Sequence, residues 1–453
     1  MSRILFLAYH FPPIGGAGVQ RNGKFARYLP DCGYESTVVT GPGGTGDRWA
    51  PVDATLNDDV PAGTDVRRLP GPEPKRSGGW RGRSERWLGV TSPWQQWWTE
   101  HVLRIGRELA GDIDLVYASL VPYETADAAV KVAREIQKPL VIDLQDPWAL
   151  DEMMIYPSAL HRRLELSRMR GAIAGADAIV MNTPESAVRV LHRLPEARKK
   201  VVVSIPNGFD SVDFEAAPPE RTDDRFRIVH TGYLHTELGN RHRRVALMRR
   251  LLGGATRGVD ILTRSHVFLL EAIERLLTDQ PELASKVEVH LAGVLTAADR
   301  EIGGRSKVVR MHGYLPHPET VALMRSADLL FLPMHDLPPG ERVGIVPGKT
   351  YEYLASGRPI LAAVPDGDVR ELLDEAGTAF ICRPADVEAM KDIISEQIRR
   401  VQAGEQSPEP DPDVLARFER RSLSECLARV FDGVTGDPAR TEARVRTSVP
   451  EPA

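Results

Sequence analysis

The segment that decides the fold spans Val346–Leu361 and has the sequence VPGKTYEYLASGRPIL. Gly348 lies in a loop-forming stretch, the residues from Lys349 favour a short helix, and Gly357 is a typical helix terminator. An apolar strand follows from Pro359. A loop, a short helix and a buried strand in this order indicate a parallel α/β domain.

Apolar strands alternate with amphipathic helical patterns on both sides of this segment, in two series. The predicted strands of the first series are Ile4–Ala8, Ser36–Thr40, Leu115–Ala118, Leu140–Leu144, Ala178–Met181 and Val201–Ile205. Those of the second are Arg227–His230, Val287–Ala292, Val308–His312, Leu329–Pro333, Pro359–Ala363 and Ala379–Cys382. The predicted fold class is α/β, with two Rossmann-like doubly wound domains that face each other across a cleft.

The turn residues after Ile205 set the domain boundary. We predict an N-terminal domain over residues 1–206 and a C-terminal domain over 207–405. A helix over 406–434 is expected to pack back on the N-terminal domain, and the polar tail 435–453 is predicted to be disordered.

Composition narrows the class of protein. The chain has 453 residues and a formal net charge of -5, which does not favour nucleic acid as a partner. Its three cysteines are far apart, as expected of free thiols in a reducing compartment. No signal peptide and no transmembrane segment are predicted, so we expect a cytoplasmic protein for which peripheral membrane contact remains open.

The glycines Gly15, Gly16 and Gly18 follow the first strand and open a helix, where backbone N–H groups can approach a phosphate. A tight turn without a ligand is the alternative. Arg21 stands where a dinucleotide fingerprint has its third glycine, and Thr40 ends the second strand where that fingerprint needs an acidic residue. Both departures argue against NAD.

Glu352 lies on the first turns of the short helix, where a carboxylate can accept two hydrogen bonds from the vicinal hydroxyls of a ribose. Lys349 and the N–H groups of the preceding loop can contact a diphosphate. The alternative is that Glu352 is only a solvated helix charge.

The pattern Pro-x-Lys-x-x-Glu-Tyr-x-Ala-x-Gly-x-Pro-Ile resembles the donor-site motif of retaining GT-B glycosyltransferases, in the glycosyltransferase family 4-like group that includes sucrose-phosphate synthase and bacterial mannosyltransferases. Further segments resemble that family in the same order, namely Gly15–Arg21, Asp143–Trp148, Ile205–Asp210, His230–Gly232 and His312–Pro316. The resemblance covers roughly residues 3–432.

The resemblance implies the GT-B fold and transfer of a sugar from a nucleotide-diphosphate sugar to an acceptor hydroxyl, with retention of anomeric configuration. It also implies that no metal and no cofactor are needed. A small molecule, a natural product or a glycan is the expected acceptor.

The resemblance also implies which residues form the site. Those expected to contact the donor are Gly15, Gly16, Gly232, Arg264, Gly313, Tyr314, Leu315, Gly348, Lys349, Thr350 and Glu352. Those assigned to catalysis are Asp146, Gln145 and Lys349. Asp146 could instead cap a turn before Pro147.

Two positions depart from the family pattern, and the usual basic donor contact is hard to place. Many relatives have a donor-sugar glutamate where this chain has Gly344, with Glu341 nearby, and many have a histidine at the place of Gln145. The basic stretch Glu237–Arg264 looks inserted, so the usual basic donor contact is assigned to Arg264, with two alternatives, Arg241 and Arg257. Within this stretch, Arg241–Arg250 is expected to be a solvated face rather than a ligand site.

The stretch Thr45–Ser92 is rich in glycine, proline and arginine and ends with a tryptophan cluster of Trp80, Trp87, Trp94, Trp97 and Trp98. We predict that Trp94 and Trp97 contact the acceptor, because tryptophan suits sugar faces and interfaces. The alternative is that these rings pack the following helix.

Three other functions use features of the same sequence. A nucleotide-sugar 2-epimerase would need acid–base carboxylates and histidines in the cleft, and a NAD enzyme lacks its acidic residue. A non-catalytic nucleotide-sugar-binding protein is compatible with Gly344 and Gln145.

Overall fold

The computed structural model describes residues 1–43, 51–74, 81–82, 84–85 and 90–436. Two compact units can be distinguished in it. The first unit comprises Met1–Leu150, His161–Pro206 and the chain from Arg420. The second unit comprises Asp151–Leu160 and Asn207–Glu419. The predicted disordered tail, 435–453, lies outside the described residues from residue 437 on.

The first unit is built on a seven-stranded parallel sheet with the order β3-β2-β1-β4-β5-β6-β7. Its strands are β1 Ser2–Ala8, β2 Tyr34–Thr40, β3 Asp65–Arg68, β4 Leu115–Ser119, β5 Leu140–Leu144, β6 Ala178–Met181 and β7 Val201–Ser204. Its helices are Ala17–Tyr28, Pro93–Leu109, Thr125–Ile136, Ala159–Gly175, Pro184–Arg193 and Arg420–Thr435.

Alternate residues of β1 are buried on opposite faces of this sheet. Leu5 and Leu7 belong to one apolar cluster, whereas Ile4 and Phe6 belong to another. A strand buried on both faces needs apolar residues at every position, which is why the continuous apolar run predicted it.

β3 was not predicted, and it lies inside the stretch Thr45–Ser92 that the sequence indicates to be irregular. Thr37 of β2 is in register with Asp65, and the pairing continues to Thr40 and Arg68. As the edge strand, β3 is only partly buried and carries charged residues, so it lacks the apolar run that marks the inner strands.

The second unit contains a six-stranded parallel sheet with the order β10-β9-β8-β11-β12-β13. Its strands are β8 Phe226–Thr231, β9 Val287–Ala292, β10 Val309–Gly313, β11 Leu329–Pro333, β12 Ile360–Ala363 and β13 Ala379–Cys382. Its helices are Thr236–Leu251, Val267–Asp279, Ala297–Gly303, His317–Arg325, Lys349–Ala355, Asp368–Ala376, Val387–Gln402 and Pro412–Ala416.

Both sheets confirm the predicted fold class of two Rossmann-like domains. In each sheet the strand order reverses beside the first strand, at β1 and β4 in the first unit and at β8 and β11 in the second. The carboxyl ends of the strands at such a reversal are where open α/β sheets bind ligands.

The helix Arg420–Thr435 belongs to the first unit, although 213 residues of the second unit precede it in the chain, from Asn207 to Glu419. Phe431 packs edge-on against Tyr34 and Tyr117, at ring centroid distances of 5.2 and 5.4 Å. The Tyr34 hydroxyl donates a hydrogen bond of 2.6 Å to Asp432. The last helix thus completes the core of the first unit.

Among the helices of the described residues, none combines the length and the hydrophobicity that crossing a bilayer requires.

Candidate functional site

Three glycines lie at the carboxyl ends of β8, β9 and β10 in the second unit. Gly232, Gly293 and Gly313 all have positive φ, at 93°, 139° and 74°. A Cβ atom on Gly293 would lie 2.3 Å from the carbonyl oxygen of Gly232. Glycine at all three positions fits these backbone angles and leaves the strand ends without side chains.

Lys349 reaches this glycine edge from the start of the helix Lys349–Ala355. A Cβ atom on Gly232 would lie 2.8 Å from the Lys349 Nζ, so glycine makes room for the ammonium group. The same Nζ lies 3.2 Å from Nε2 of His230. Nδ1 of His230 is 3.0 Å from the carbonyl oxygen of Phe331, which assigns its proton to Nδ1 and leaves Nε2 to accept from Lys349.

Burial changes the protonation of this pair. Burial, and then the charge of Arg264, lower the pKa of Lys349 to about 7, and the charge of Glu352 acts in the opposite direction. Burial, and then the charge of Lys349, lower the pKa of His230 well below its ordinary value. The pair is therefore a neutral imidazole beside an amine that gains or loses its charge near neutral pH.

Glu352 follows Lys349 by one turn on the same helix. The next residue, Tyr353, fixes this helix to β8, because its hydroxyl accepts a hydrogen bond of 2.9 Å from the backbone N–H of Thr231. The Glu352 carboxylate lies 3.9 Å from Nδ1 of His317, and Nε2 of His317 lies 3.2 Å from Asp213. Glu352 therefore lies beside a histidine that contacts Asp213.

The loop Gly313–Leu315 leads directly into the helix that begins at His317, so the structure brings this loop and Glu352 together. The side chain of Tyr314 is exposed, and the carbonyl of Leu315 accepts a hydrogen bond from Thr320. Thr350, in contrast, is fully buried, and its backbone N–H donates to Pro347.

Arg264 ends the inserted basic stretch, and its carbonyl accepts a hydrogen bond from the backbone N–H of His235. The charge of its guanidinium lowers the pKa of Lys349. Its guanidinium also lies 3.5 Å from the sulfur of Met153. Met153 belongs to the chain segment 151–160, which is part of the second unit.

The same segment supplies a buried carboxylate that the sequence did not reveal. Glu152 accepts hydrogen bonds of 3.1 Å from Nε2 of His335 and from the backbone N–H of Gly344. Both Glu152 and His335 are buried. A carboxylate thus lies against Gly344, the position at which the sequence departs from its family, whereas Glu341 is exposed.

In the first unit, the glycine turn and the segment around Gln145 meet. Gly16 has a φ of 117° and begins the helix Ala17–Tyr28. A Cβ atom on Gly18 would lie 2.3 Å from the side-chain oxygen of Gln145. The Gln145 amide donates to Ser119 and to the Gly18 carbonyl, at 2.9 and 3.2 Å, so its side chain is fixed beneath the turn.

Arg21 has a structural role that explains why no third glycine follows the turn. Its guanidinium forms a fully buried ion pair of 2.8 Å with Asp143 and donates to the carbonyls of Ile205 and Pro206. The Tyr117 hydroxyl donates to the same carboxylate at 2.6 Å. A buried charge pair with this many partners connects the helix to the ends of two strands.

Asp146 is partly buried at the end of the same segment. Two residues later, Trp148 has a φ of 47°, which is rare for a bulky side chain. Its ring stacks on Tyr123 at 4.9 Å, and its Nε1 donates to Glu165. Such backbone strain is common beside functional residues.

The predicted acceptor residues lie on the helix Pro93–Leu109. Trp94 is only 2% exposed and belongs to the core, and its Nε1 donates to Glu73 and to the Tyr9 hydroxyl. Trp97 is half-buried beside His101. The acceptor role stays a prediction, and the burial of Trp94 favours the packing alternative. Trp80 and Trp87, from the same predicted cluster, lie outside the described residues.

Sequence reasoning missed four side chains, His230, His317, His335 and Glu152. The position of His230 just before Thr231 and Gly232 was a usable signal, because the end of a central strand faces the ligand side. In the described parts of the chain, no group of three or more histidine, cysteine or acidic residues could hold a metal ion.

Comparison with sequence families identifies both halves of the chain. Residues 15–208 match the family described as "Glycosyl transferase 4-like domain". Residues 261–400 match the family described as "Glycosyl transferases group 1". Among curated protein sequences, none matches the chain significantly.

Similar solved structures have the same fold at low sequence identity. HepE from Anabaena, in complex with UDP and glucose, is 16% identical over 99% of each chain, with a TM-score of 0.53. Sucrose-phosphate synthase from Thermosynechococcus elongatus is 12% identical over 99% of this chain and 100% of that chain, with a TM-score of 0.57. α,α-Trehalose 6-phosphate synthase from Burkholderia multivorans is 15% identical over 99% of this chain and 100% of that chain, with a TM-score of 0.53. With glycosyltransferase matches in both parts of the chain and a parallel-sheet Rossmann-like domain in each unit, the chain belongs to the glycosyltransferase 4-like family, which has the GT-B fold.

Proposed function

We propose that this glycosyltransferase moves a sugar from a nucleoside-diphosphate sugar to an acceptor hydroxyl, with retention of the anomeric configuration. The observation that carries the proposal is the position of the Lys349 ammonium group against Gly232, one helical turn before Glu352, whose carboxylate lies beside His317. An ammonium group at a glycine strand end suits a diphosphate, and a carboxylate one turn away suits ribose hydroxyls.

In this proposal the donor diphosphate lies along Gly232 and Lys349, with Arg264 as a second cation. The ribose hydroxyls donate to Glu352, and the nucleobase lies at Gly313, Tyr314 and Leu315. Gly348 and Thr350 contribute through the backbone that positions Lys349. Gly15 and Gly16 of the first unit are proposed to contact the donor as well.

Uridine is the base to test first. HepE was crystallised with UDP and with UDP-glucose, and another solved structure of the same fold, MnaA from S. aureus, holds UDP. UDP and UDP-glucose are thus ligands of HepE, and UDP is a ligand of MnaA. The exposed ring of Tyr314 and the backbone of the loop Gly313–Leu315 offer a surface on which a flat base could lie.

During transfer, the bond between the anomeric carbon and the diphosphate oxygen breaks, and the acceptor oxygen forms the new bond on the same face of the sugar. The acceptor proton is released to solvent, and the diphosphate leaves with the electron pair of the broken bond and so gains negative charge. Lys349 and Arg264 are proposed to stabilise that charge more strongly in the transition state than in the bound donor. Asp146 and Gln145 are the proposed catalytic residues of the first unit.

A donor screen tests this function. UDP-, GDP- and ADP-sugars are compared for protection against thermal unfolding, since a ligand at 100 times its dissociation constant stabilises by about 2.7 kcal/mol. Sugars that protect are then assayed for hydrolysis or transfer, and the anomeric configuration of the product is determined by NMR. Activity in the presence of EDTA tests the proposed independence of metals and cofactors. If no nucleotide sugar protects the protein or turns over, the proposed function is wrong.

A nucleotide-sugar 2-epimerase is the second candidate, and the buried pair of Glu152 and His335 is the observation that favours it. Such a pair could exchange a proton with a donor sugar. Incubating the protein with the donor in deuterated water decides between the two. Deuterium at C2 of recovered donor would indicate epimerisation, and its absence together with glycosidic product would indicate transfer.

A further inference from the structure

The helix Thr236–Leu251 and the loop after it form an insertion between the two segments, 15–208 and 261–400, that match glycosyltransferase families. From Leu238 to Gly258 this insertion contains six arginines and no acidic residue, in a chain whose formal net charge is -5. Positive charge is therefore concentrated here against the overall balance of the protein.

The end of the same helix carries exposed apolar side chains. Leu251 is 80% exposed, and Met248 and Leu252 are 53% and 51% exposed. Leu160, at 61% exposed, lies beside them, because the backbone N–H of the preceding Ala159 donates to the Leu252 carbonyl at 2.7 Å. We call these four residues the apolar patch.

Arginines lie next to the apolar patch on the same face of the helix. Arg241, Arg244, Met248 and Leu251 follow one another at spacings of three and four residues, so they share one face, and all four are exposed. Arg243 points elsewhere and forms an ion pair of 2.6 Å with Asp260, which holds the helix on the second unit. The exposed face is therefore basic at one end and apolar at the other.

We propose that this face binds a membrane surface rich in anionic lipids. The leucines would enter the boundary between headgroups and acyl chains, and the arginines would contact lipid phosphates. A second copy of the chain is a poorer occupant, because it would bring the same arginines against one another. This inference goes beyond the proposed function and does not depend on it, since binding is measured without a donor.

Co-sedimentation with lipid vesicles tests the proposal. The parent protein should bind vesicles of equal parts phosphatidylglycerol and phosphatidylcholine and should not bind pure phosphatidylcholine. Replacing Leu251→Ser and Leu252→Ser should weaken binding on the order of ten-fold for each leucine. Replacing Arg241→Gln and Arg244→Gln should weaken it about five-fold for each arginine and reduce its sensitivity to salt.

Two matched controls lie on other surfaces of the second unit. Val212, 47% exposed, is replaced by serine, and Arg300, exposed on the helix Ala297–Gly303, is replaced by glutamine. Neither control should change vesicle binding, and all variants should retain the circular dichroism spectrum of the parent. Failure of the parent to bind, or equal binding by the patch variants, overturns the proposal. A dimer that dissociates on Leu251→Ser, without any vesicle binding, would also overturn it and assign the face to a second copy.

Discussion

Glu352 lies within reach of His317, and His317 is in turn held by Asp213. If this carboxylate binds the donor ribose, Glu352→Ala should remove charge-assisted hydrogen bonds and weaken donor binding by about 1.5–3 kcal/mol, while the thermal midpoint of the unliganded protein changes little. Calorimetric titration with the nucleotide sugar measures the loss. Glu319, exposed on the neighbouring helix, is the matched control, and equal affinities of Glu352→Ala and Glu319→Ala would show that the site is misplaced.

Lys349 should make donor binding depend on pH. Its pKa is about 7 in the unliganded protein, and a bound diphosphate favours the charged ammonium, so binding raises this pKa. Below pH 7 the lysine is charged before and after binding, and affinity should be constant. Above pH 7 binding must take up a proton, so affinity should fall, by at most about ten-fold per pH unit.

Calorimetry with a nucleotide sugar between pH 6 and pH 9 measures this dependence, because the diphosphate of a nucleotide sugar does not titrate there. Lys349→Arg should make affinity independent of pH, since arginine stays charged. Lys307, exposed on the same unit, provides the control Lys307→Arg, which should keep the parental dependence. A parent protein with constant affinity over this range would show that Lys349 does not contact the diphosphate.

At the scale of elements, two tryptophans of the helix Pro93–Leu109 allow a packing role to be distinguished from acceptor binding. Trp94 is buried against Tyr9 and Trp98, so Trp94→Ala should destabilise the protein by about 3–5 kcal/mol. Replacing the half-buried Trp97 with alanine should lower the free energy of unfolding by less than half of that amount. Urea denaturation, donor hydrolysis and transfer are measured on the same preparations. If Trp94→Ala keeps its stability and donor hydrolysis but loses transfer, the acceptor assignment holds instead.

The segment 151–160 contacts the chain at His335 and Gly344 through one side chain, Glu152. Glu152→Ala leaves the Gly344 N–H and His335 without their shared acceptor, so it should destabilise the second unit by about 1–3 kcal/mol and raise the KM for donor. Glu152→Gln keeps an acceptor oxygen and should restore most of the stability. Glu341→Ala, at an exposed glutamate in the same loop region, is the control. Parental stability and KM in both Glu152 variants would contradict this role.

Most inner strands and the Lys349–Glu352 segment could be predicted from sequence, because both signals are local. An inner strand such as β1 needs apolar residues on both faces, and the donor-site motif occupies consecutive positions. β3 could not be predicted, because an edge strand is not required to be apolar. Glu152 and His335 could not be predicted either, because they are 183 residues apart and only the topology brings them together.

At the scale of the whole molecule, the first unit depends on the last helix of the chain. Phe431 is fully buried between Tyr34 and Tyr117, so Phe431→Ala should lower the free energy of unfolding by about 3–5 kcal/mol. The midpoint of urea denaturation measures this loss. Val188→Ala, at an exposed position of the first unit, should leave the midpoint within about 0.5 kcal/mol of the parent. Equal midpoints for the two variants would mean that the last helix is not part of the cooperative core.

The short excursion of residues 151–160 into the second unit bears on how this enzyme could be recombined with its relatives. A hybrid spliced at Pro206 would join a foreign second unit to a native segment whose Glu152 pairs with His335 and Gly344. Glu152 would then face residues of the relative that were not selected to accept it. A hybrid that also exchanges the ten residues 151–160 transplants the second unit intact. The working crossover points are thus four rather than one, at Leu150, Leu160, Pro206 and Glu419.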